Sequence, residues 1–249
     1  MVLFGHLFEQ ARADRPAPDS LSERRQLEAE GVLEPMDGLQ PQGEVPAVSE
    51  RTVGLIVMFE VSSPDAYERR YRHPVWPQGR SGITVGIGYD VGYVRPAALA
   101  LDWQGQLPPA QIDLLALACG VTGPAARALL ARTRDVDIPY ENAMAVFRGV
   151  TLRQTAAVVE AALPNAARLH PDSFGALVSL VYNRGASFRL AGERYAEMRQ
   201  IREDMAAARF DAVPGRIRAM KRLWDQPALR GLVRRRELEA VLFEEGLAA

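Results

Sequence analysis

One cysteine, one lysine and three histidines are all that 249 residues contain of these types. A single thiol excludes an internal disulfide, so folding does not depend on an oxidising compartment. Cys119 lies in the apolar run LLALACG, where a buried structural thiol is expected. His6, His73 and His170 are scattered and stand in no ligand spacing, which argues against a catalytic metal. Gly86 and Gly88 form an isolated GxG without a third glycine at dinucleotide distance, so no cofactor is expected either. No stretch approaches the roughly 18 apolar residues of a membrane span. The opening MVLFGHLFEQARADRP lacks a basic leader and an apolar core of signal-peptide length. The expectation is a chain made in the cytoplasm. A formal net charge of −1 gives no overall field that would draw it to nucleic acid.

What is present is ordinary for a globular protein, with 48% hydrophobic and 24% charged residues, enough for one large domain or a domain with an appendage. Two regions depart from the average. Residues 1–50 carry prolines at 16, 18, 35, 41 and 46, and residues 1–60 hold eleven acids against five arginines. This segment reads as an acidic, partly disordered arm or linker, with a short helix over Leu21–Glu30, followed by a compact domain over 51–249. Between Arg199 and Arg236 the balance reverses, with eleven Arg or Lys against four acids. Solvated helix faces account for most such runs, and a basic side facing an anionic polymer fits the same count.

Beyond Leu101 the periodicity is helical nearly throughout. Segments are expected at Pro108–Cys119, Pro124–Arg132, Tyr140–Arg148, Leu152–Ala162, Pro171–Asn183, Gly192–Ala208, Val213–Trp224 and Leu229–Glu245. Before them, Val53–Phe59 is an apolar run leading straight into Glu60, and Pro64–Arg72 reads as a helix. Between these helices and the body lies SGITVGIGYDVGY, residues 81–93, where Ile83, Val85 and Ile87 alternate with Gly82, Thr84, Gly86 and Gly88. That period of two marks a short strand with one bare face, and glycine within a strand marks a bend or a close approach to the backbone. The fold class is therefore α+β and mostly helical, with one small hairpin near its start.

Three polar residues stand out. Glu60 follows seven apolar residues. It is either a solvent-facing helix end or an acid held in apolar surroundings, and the second setting keeps a carboxyl protonated as a general acid requires. Thr84 and Asp90 sit on the glycine-stripped hairpin, where small residues leave room for a bulky polymer. Two carboxyls across a cleft are the minimum equipment for glycoside hydrolysis. Tyr89 and Asp90 also suit a second role, as a hairpin-end pair that stabilises the turn.

The pattern FE…SGITVGIGYD resembles the catalytic start of the phage-type lysozymes, where a helix-borne Glu precedes a T-x-G-x-G hairpin. DSFGALVSLVYNRGASF (172–188) is similar to their central helix, and LWDQPALRGLVRRRELEAVLF (223–243) to their carboxy-terminal helix. Together these cover roughly residues 51–246. The stretch WPQGRSGI (76–83) departs from that family, because it has no carboxylate or cysteine before the threonine. The second acid follows at Asp90, an order that resembles the pesticin-like muramidases. The resemblance implies a lysozyme-like fold acting on bacterial peptidoglycan, with Glu60 as acid and with Asp90 and Thr84 directing water. It implies inversion at the anomeric carbon, and no cofactor. It also implies that Tyr182, Asn183 and Arg184 line the sugar cleft, although Asn183 suits a helix cap as well. Tyr89, Trp76, Arg80 and Ser81 are further candidates for holding sugar, Trp76 by stacking. Arg235 matches the arginine that pairs with the catalytic Glu; Arg234 and Arg236 are its neighbours, and solvent exposure is expected for at least two of the three. Such an enzyme would reach the periplasm by phage lysis or by a dedicated secretion system. Residues 1–50 are then the segment to meet a delivery partner, and an immunity protein is a further partner. A non-catalytic module of the same fold, binding glycan or protein, and a chitinase-like glycosidase are the alternatives.

Overall fold

The computed structural model describes residues 3–14, 44–224 and 229–249. The chain divides into two compact units. One comprises the described residues up to 59 together with those from 155 onward; the other comprises residues 60–154. The expected Leu21–Glu30 helix lies outside the described residues.

In the first unit, α1 spans Phe4–Ala13 and α2 spans Glu50–Val61, its last two residues entering the second unit. Ser49 starts α2, its hydroxyl accepting a hydrogen bond from the Thr52 N–H at 3.2 Å. The rest of the unit is built by α8 (Leu152–Ala162), α9 (Pro171–Arg184), α10 (Ala196–Ala206), α11 (Val213–Ala219) and α12 (Arg230–Leu247). Nearly every side chain of α9 is buried, and Gly185, at φ 69°, turns the chain out of it. α12 lies against α9, with the Ser173 hydroxyl donating to the Phe243 carbonyl at 2.7 Å. Gly246 permits that approach, since a Cβ there would overlap the Ser173 hydroxyl.

The arm expected over residues 1–50 does not hold at Phe4–Ala13, which is a helix seated on α12. Phe4 and Ala11 are buried, and the Phe4 N–H donates to Glu245 Oε1 at 2.6 Å. Arg51 lies over the Phe4 ring at 4.6 Å and pairs with both Asp172 and Glu245. The cause is written in the residues, because Phe4, Leu7, Phe8 and Ala11 recur at helical spacing on one face.

The excess of basic residues between Arg199 and Arg236 is also met internally. Arg209 and Arg216 hold the buried Asp204 at 2.7 and 2.9 Å. Arg222 bonds Glu197 at 3.1 Å, and Arg218 and Lys221 share Glu237. Glu197 and Glu237 lie just outside the 199–236 span, so the local surplus is neutralised across helices and offers little as a polyanion surface.

The second unit holds α3 (Pro64–Arg70), strands β1 (Thr84–Val85) and β2 (Tyr89–Asp90), α4 (Pro96–Trp103), α5 (Pro109–Ala116), α6 (Gly123–Thr133) and α7 (Tyr140–Val146). A π-helical turn, Phe147–Thr151, leads on to α8. Ser63 caps α3 by accepting from the Ala66 N–H at 3.1 Å, with Pro64 in the first turn and Arg69 and Arg70 in the last. The core gathers Tyr67, Leu99, Trp103, Leu115, Val136 and Ile138. The Tyr67 hydroxyl donates to the Ile138 carbonyl at 2.9 Å, and Arg72 grips Asp137 at 2.9 Å. α4 was not expected from the sequence. Cys119 is half-buried rather than enclosed. Among the described residues no helix is long and apolar enough to cross a membrane.

Candidate active site

The apolar run into Glu60 forms most of α2, and Leu55, Ile56, Met58 and Phe59 are all buried. Glu60 is itself only 8% exposed, one residue before the helix ends at Val61. Ser62, at φ 67°, breaks the helix there. The acid therefore stands where an apolar helix stops. Its charge is felt by Tyr71: burial pushes that phenol above its ordinary pKa, Arg70 pulls it down, and the Glu60 carboxylate adds to the rise.

The expected hairpin is present. β1 and β2 pair antiparallel in the register Thr84–Asp90 and Val85–Tyr89, around a Gly86-Ile87-Gly88 turn whose glycines have φ of 58° and 74°. Directly opposed residues share a face, so Thr84 and Asp90 lie on one side and Val85 and Tyr89 on the other. On its other edge Thr84 bridges to Val75 through two backbone hydrogen bonds of 2.8 and 2.9 Å.

The glycines make room for something other than a polymer. Asp90 Oδ2 accepts from the Gly82 N–H at 3.2 Å, and Oδ1 accepts from the Gly92 N–H at 3.0 Å. A Cβ on Gly82 would overlap both Oδ1 of Asp90 and the Gly92 Cα, while one on Gly92 would meet Gly82 and the Val121 carbonyl. Two glycines thus let two backbone donors clamp one carboxylate, and Asp90 also starts a short helical turn at Val91–Tyr93. The turn-stabilising role left open by the sequence is one that Asp90 performs. Beside it, Thr84 Oγ1 is enclosed and has no hydrogen-bond partner among the described residues.

The remaining candidates fall into two groups. Tyr89 is buried, its hydroxyl donating to Asp102 Oδ2 at 2.7 Å and its ring meeting Trp103 edge-on at 5.5 Å. It braces the hairpin from behind. Trp76 is half-buried and fixed by an Nε1–H bond of 2.9 Å to the Ser81 carbonyl; Arg80 is exposed and Ser81 buried. These residues share the 60–154 unit with Glu60, Thr84 and Asp90.

Tyr182, Asn183, Arg184 and Arg235 belong to the other unit, and all four are buried. Arg184 donates to the Arg194 carbonyl at 2.9 Å and lies over Trp224. Asn183 lies inside α9 rather than capping it, and its Oδ1 accepts from Arg236 at 3.2 Å. Arg235 lies 3.3 Å from Glu239 Oε1, donates to the Ser179 carbonyl at 3.2 Å and sits over Phe59. Arg236 lies 2.8 Å from Glu239 Oε2. Two of the three consecutive arginines are therefore fully buried, contrary to expectation; only Arg234 reaches solvent, where it pairs with Asp14 at 2.7 Å. The sequence reading overlooked Tyr71, Asp102 and Glu239. Glu239 alone left a signal, standing three and four residues beyond the paired arginines.

The phage lysozyme family model matches residues 113–239, just over half of the chain. The match runs from α5 into α12, so Glu60, Thr84 and Asp90 precede it. No curated protein matches the chain. The match covers the helical segments that follow the hairpin, and on that extent the chain belongs to the phage lysozyme family, a family of glycoside hydrolases.

Proposed function

We propose that the protein is a muramidase, hydrolysing the β-1,4 bond between N-acetylmuramic acid and N-acetylglucosamine in bacterial peptidoglycan. In this reading Glu60 donates its proton to the glycosidic oxygen as the bond to the anomeric carbon breaks. A water held at Thr84 Oγ1 attacks that carbon from the opposite face and passes a proton to Asp90, and solvent then restores both carboxyls. The product would carry inverted configuration. The observation that supports this most is the enclosed, unsatisfied Thr84 hydroxyl directly across the hairpin from a clamped carboxylate. A buried hydroxyl without a partner costs about 1–3 kcal/mol, a cost that chemistry at that point would explain.

The clamp on Asp90 favours a second reading of its role, in which it only holds the hairpin and Thr84 alone orients water. Asp90→Asn separates the two: a variant that melts like wild type but loses activity makes Asp90 the base, and parallel losses make it a brace.

Cell-wall turbidity with product analysis tests the whole proposal. Wild type should clear walls and release fragments with muramic acid at the reducing end, and Glu60→Gln should be slower by about 10²–10⁴-fold. Equal clearing by the two would remove Glu60 from the mechanism. No clearing by either would favour a binding module of the same fold, and cleavage of chitin-like polymer alone would favour a chitinase-like enzyme. Acting on the wall requires delivery to it, by phage lysis or by a secretion apparatus.

A further inference from the structure

Among the described residues four large apolar side chains are exposed, Leu3, Leu101, Leu117 and Leu247. Leu3 and Leu247 lie close to the two ends of the chain. Leu101, 59% exposed, belongs to α4, and Leu117, 40% exposed, closes α5, both in the 60–154 unit.

These two helices pack against each other through a tight connection, in which the Gln106 and Leu107 N–H groups donate to the Trp103 carbonyl at 2.9 and 3.1 Å. Their inner sides bury Leu99, Trp103, Ile112 and Leu115. Their outer sides are apolar as well. Ala97, Ala100 and Leu101 recur at helical spacing on α4, as do Ala110, Asp113 and Leu117 on α5, and all six are exposed. From Pro96 to Cys119 the charged side chains are Asp102, which is buried, and Asp113. A surface helix ordinarily turns charge toward water on the side away from the core. An exposed apolar face rimmed by polar groups marks contact with another molecule.

The charges at this face have both signs. Asp113 sits within the α5 stripe and has no ion pair among the described residues. Arg95 is exposed and stands immediately before α4. One acid and one base beside the same apolar side chains make the face complementary to itself. On its inner side α4 holds the hairpin: Asp102 accepts from the Tyr89 hydroxyl at 2.7 Å, and a Cβ on Gly86 would lie 3.2 Å from the Trp103 ring.

We infer that the outer face of α4 and α5 is a dimer interface whose occupant is a second copy of this chain. A two-fold arrangement sets Asp113 of one copy against Arg95 of the other, twice, with Leu101 and Leu117 enclosed between the pairs. Each helix is about 12 Å long. The face therefore falls short of the roughly 800 Å² per partner of a standard interface, and the dimer is weak. The copies associate only where the protein is concentrated, and association covers the helix that anchors the hairpin from behind. Nothing in this depends on the reaction proposed above.

Sedimentation of the full chain between about 1 μM and about 500 μM tests it. The 27.4 kDa chain should pass to about twice that mass, with a midpoint on the order of 50 μM. Leu101→Glu combined with Leu117→Glu should leave a monomer at every concentration and melt like wild type. Should those glutamates lower the melting temperature, charge reversal decides alone. Asp113→Arg should weaken association at least about tenfold by setting like charges together, and adding Arg95→Asp should restore it to within about threefold of wild type. A monomer throughout, a dimer that survives the two glutamates, or a reversed pair that fails to recover would each overturn the interface. A chain that stays monomeric but binds phosphatidylcholine vesicles through the same leucines would overturn it too, in favour of a lipid surface.

Discussion

The two units bury polar side chains in opposite ways. Between α9 and α12, Ser179, Asn183, Arg235, Arg236 and Glu239 are sealed from solvent, and charges answer one another through side chains. At the hairpin, Asp90 is answered by backbone N–H groups, and the Thr84 hydroxyl across from it is not answered at all. An ionic cluster of this kind fixes how two helices meet. An enclosed polar group left over from such pairing is where a ligand or a reaction can intervene. The contrast is one of partners, side chains in one unit and backbone N–H groups in the other.

The largest expected effect breaks the first half of that contrast. Glu239→Ala strands two buried guanidinium groups and should cost about 3–5 kcal/mol, read by urea unfolding. A cost below about 1 kcal/mol would mean that the arginines are compensated elsewhere. Gly82→Ala comes next. It pushes a methyl into the Asp90 carboxylate and the Gly92 backbone, and should lose about 1–3 kcal/mol together with wall-clearing activity. Activity that survived this change would detach Asp90 from the chemistry.

Thr84→Val sharpens the comparison because stability and activity should move apart. Removing an unanswered hydroxyl should leave the melting temperature equal or higher, while turnover falls at least about tenfold. A drop in both would mean that the hydroxyl has a structural partner. The smallest effect concerns pH. Burial raises the pKa of Asp204, but hydrogen bonds from Arg216 and Arg209 outweigh it and hold the group below the usual carboxylate range. Its folded value is depressed, so its contribution is complete above the ordinary carboxylate value and fades as pH falls through the lowered one. Asp204→Asn should therefore be less stable than wild type at neutral pH, with the gap closing on strong acidification.

The helical body was largely legible. Leu152–Ala162 was expected with the bounds observed, and Pro171–Asn183 ends one residue short of the helix found. Pro96–Trp103 escaped because PAALALDW, apolar but for Asp102, has no polar face to give it a period. Phe4–Ala13 escaped because the prolines that follow colour the composition of the whole segment, although its own apolar spacing is helical. The glycines correctly marked a close approach, but the alternation over 82–88 reads as one strand, whereas Gly86-Ile87-Gly88 is the turn and sets the register. What approaches could not be read, since it is a side chain eight residues away from Gly82, brought back by the turn. RRR at 234–236 reads as a solvated run because composition cannot tell that the helix turns two of the three inward.

Arg51 ties together stretches of polypeptide 121 and 194 residues from itself, through Asp172 and Glu245, while its guanidinium also covers Phe4. Proteolytic nicking that stripped away the first helix would uncover that cation and remove one of the donors on Glu245. The disturbance would then travel to the opening turn of the central helix. Amide exchange at Asp172 would register it, far along the chain from the cut.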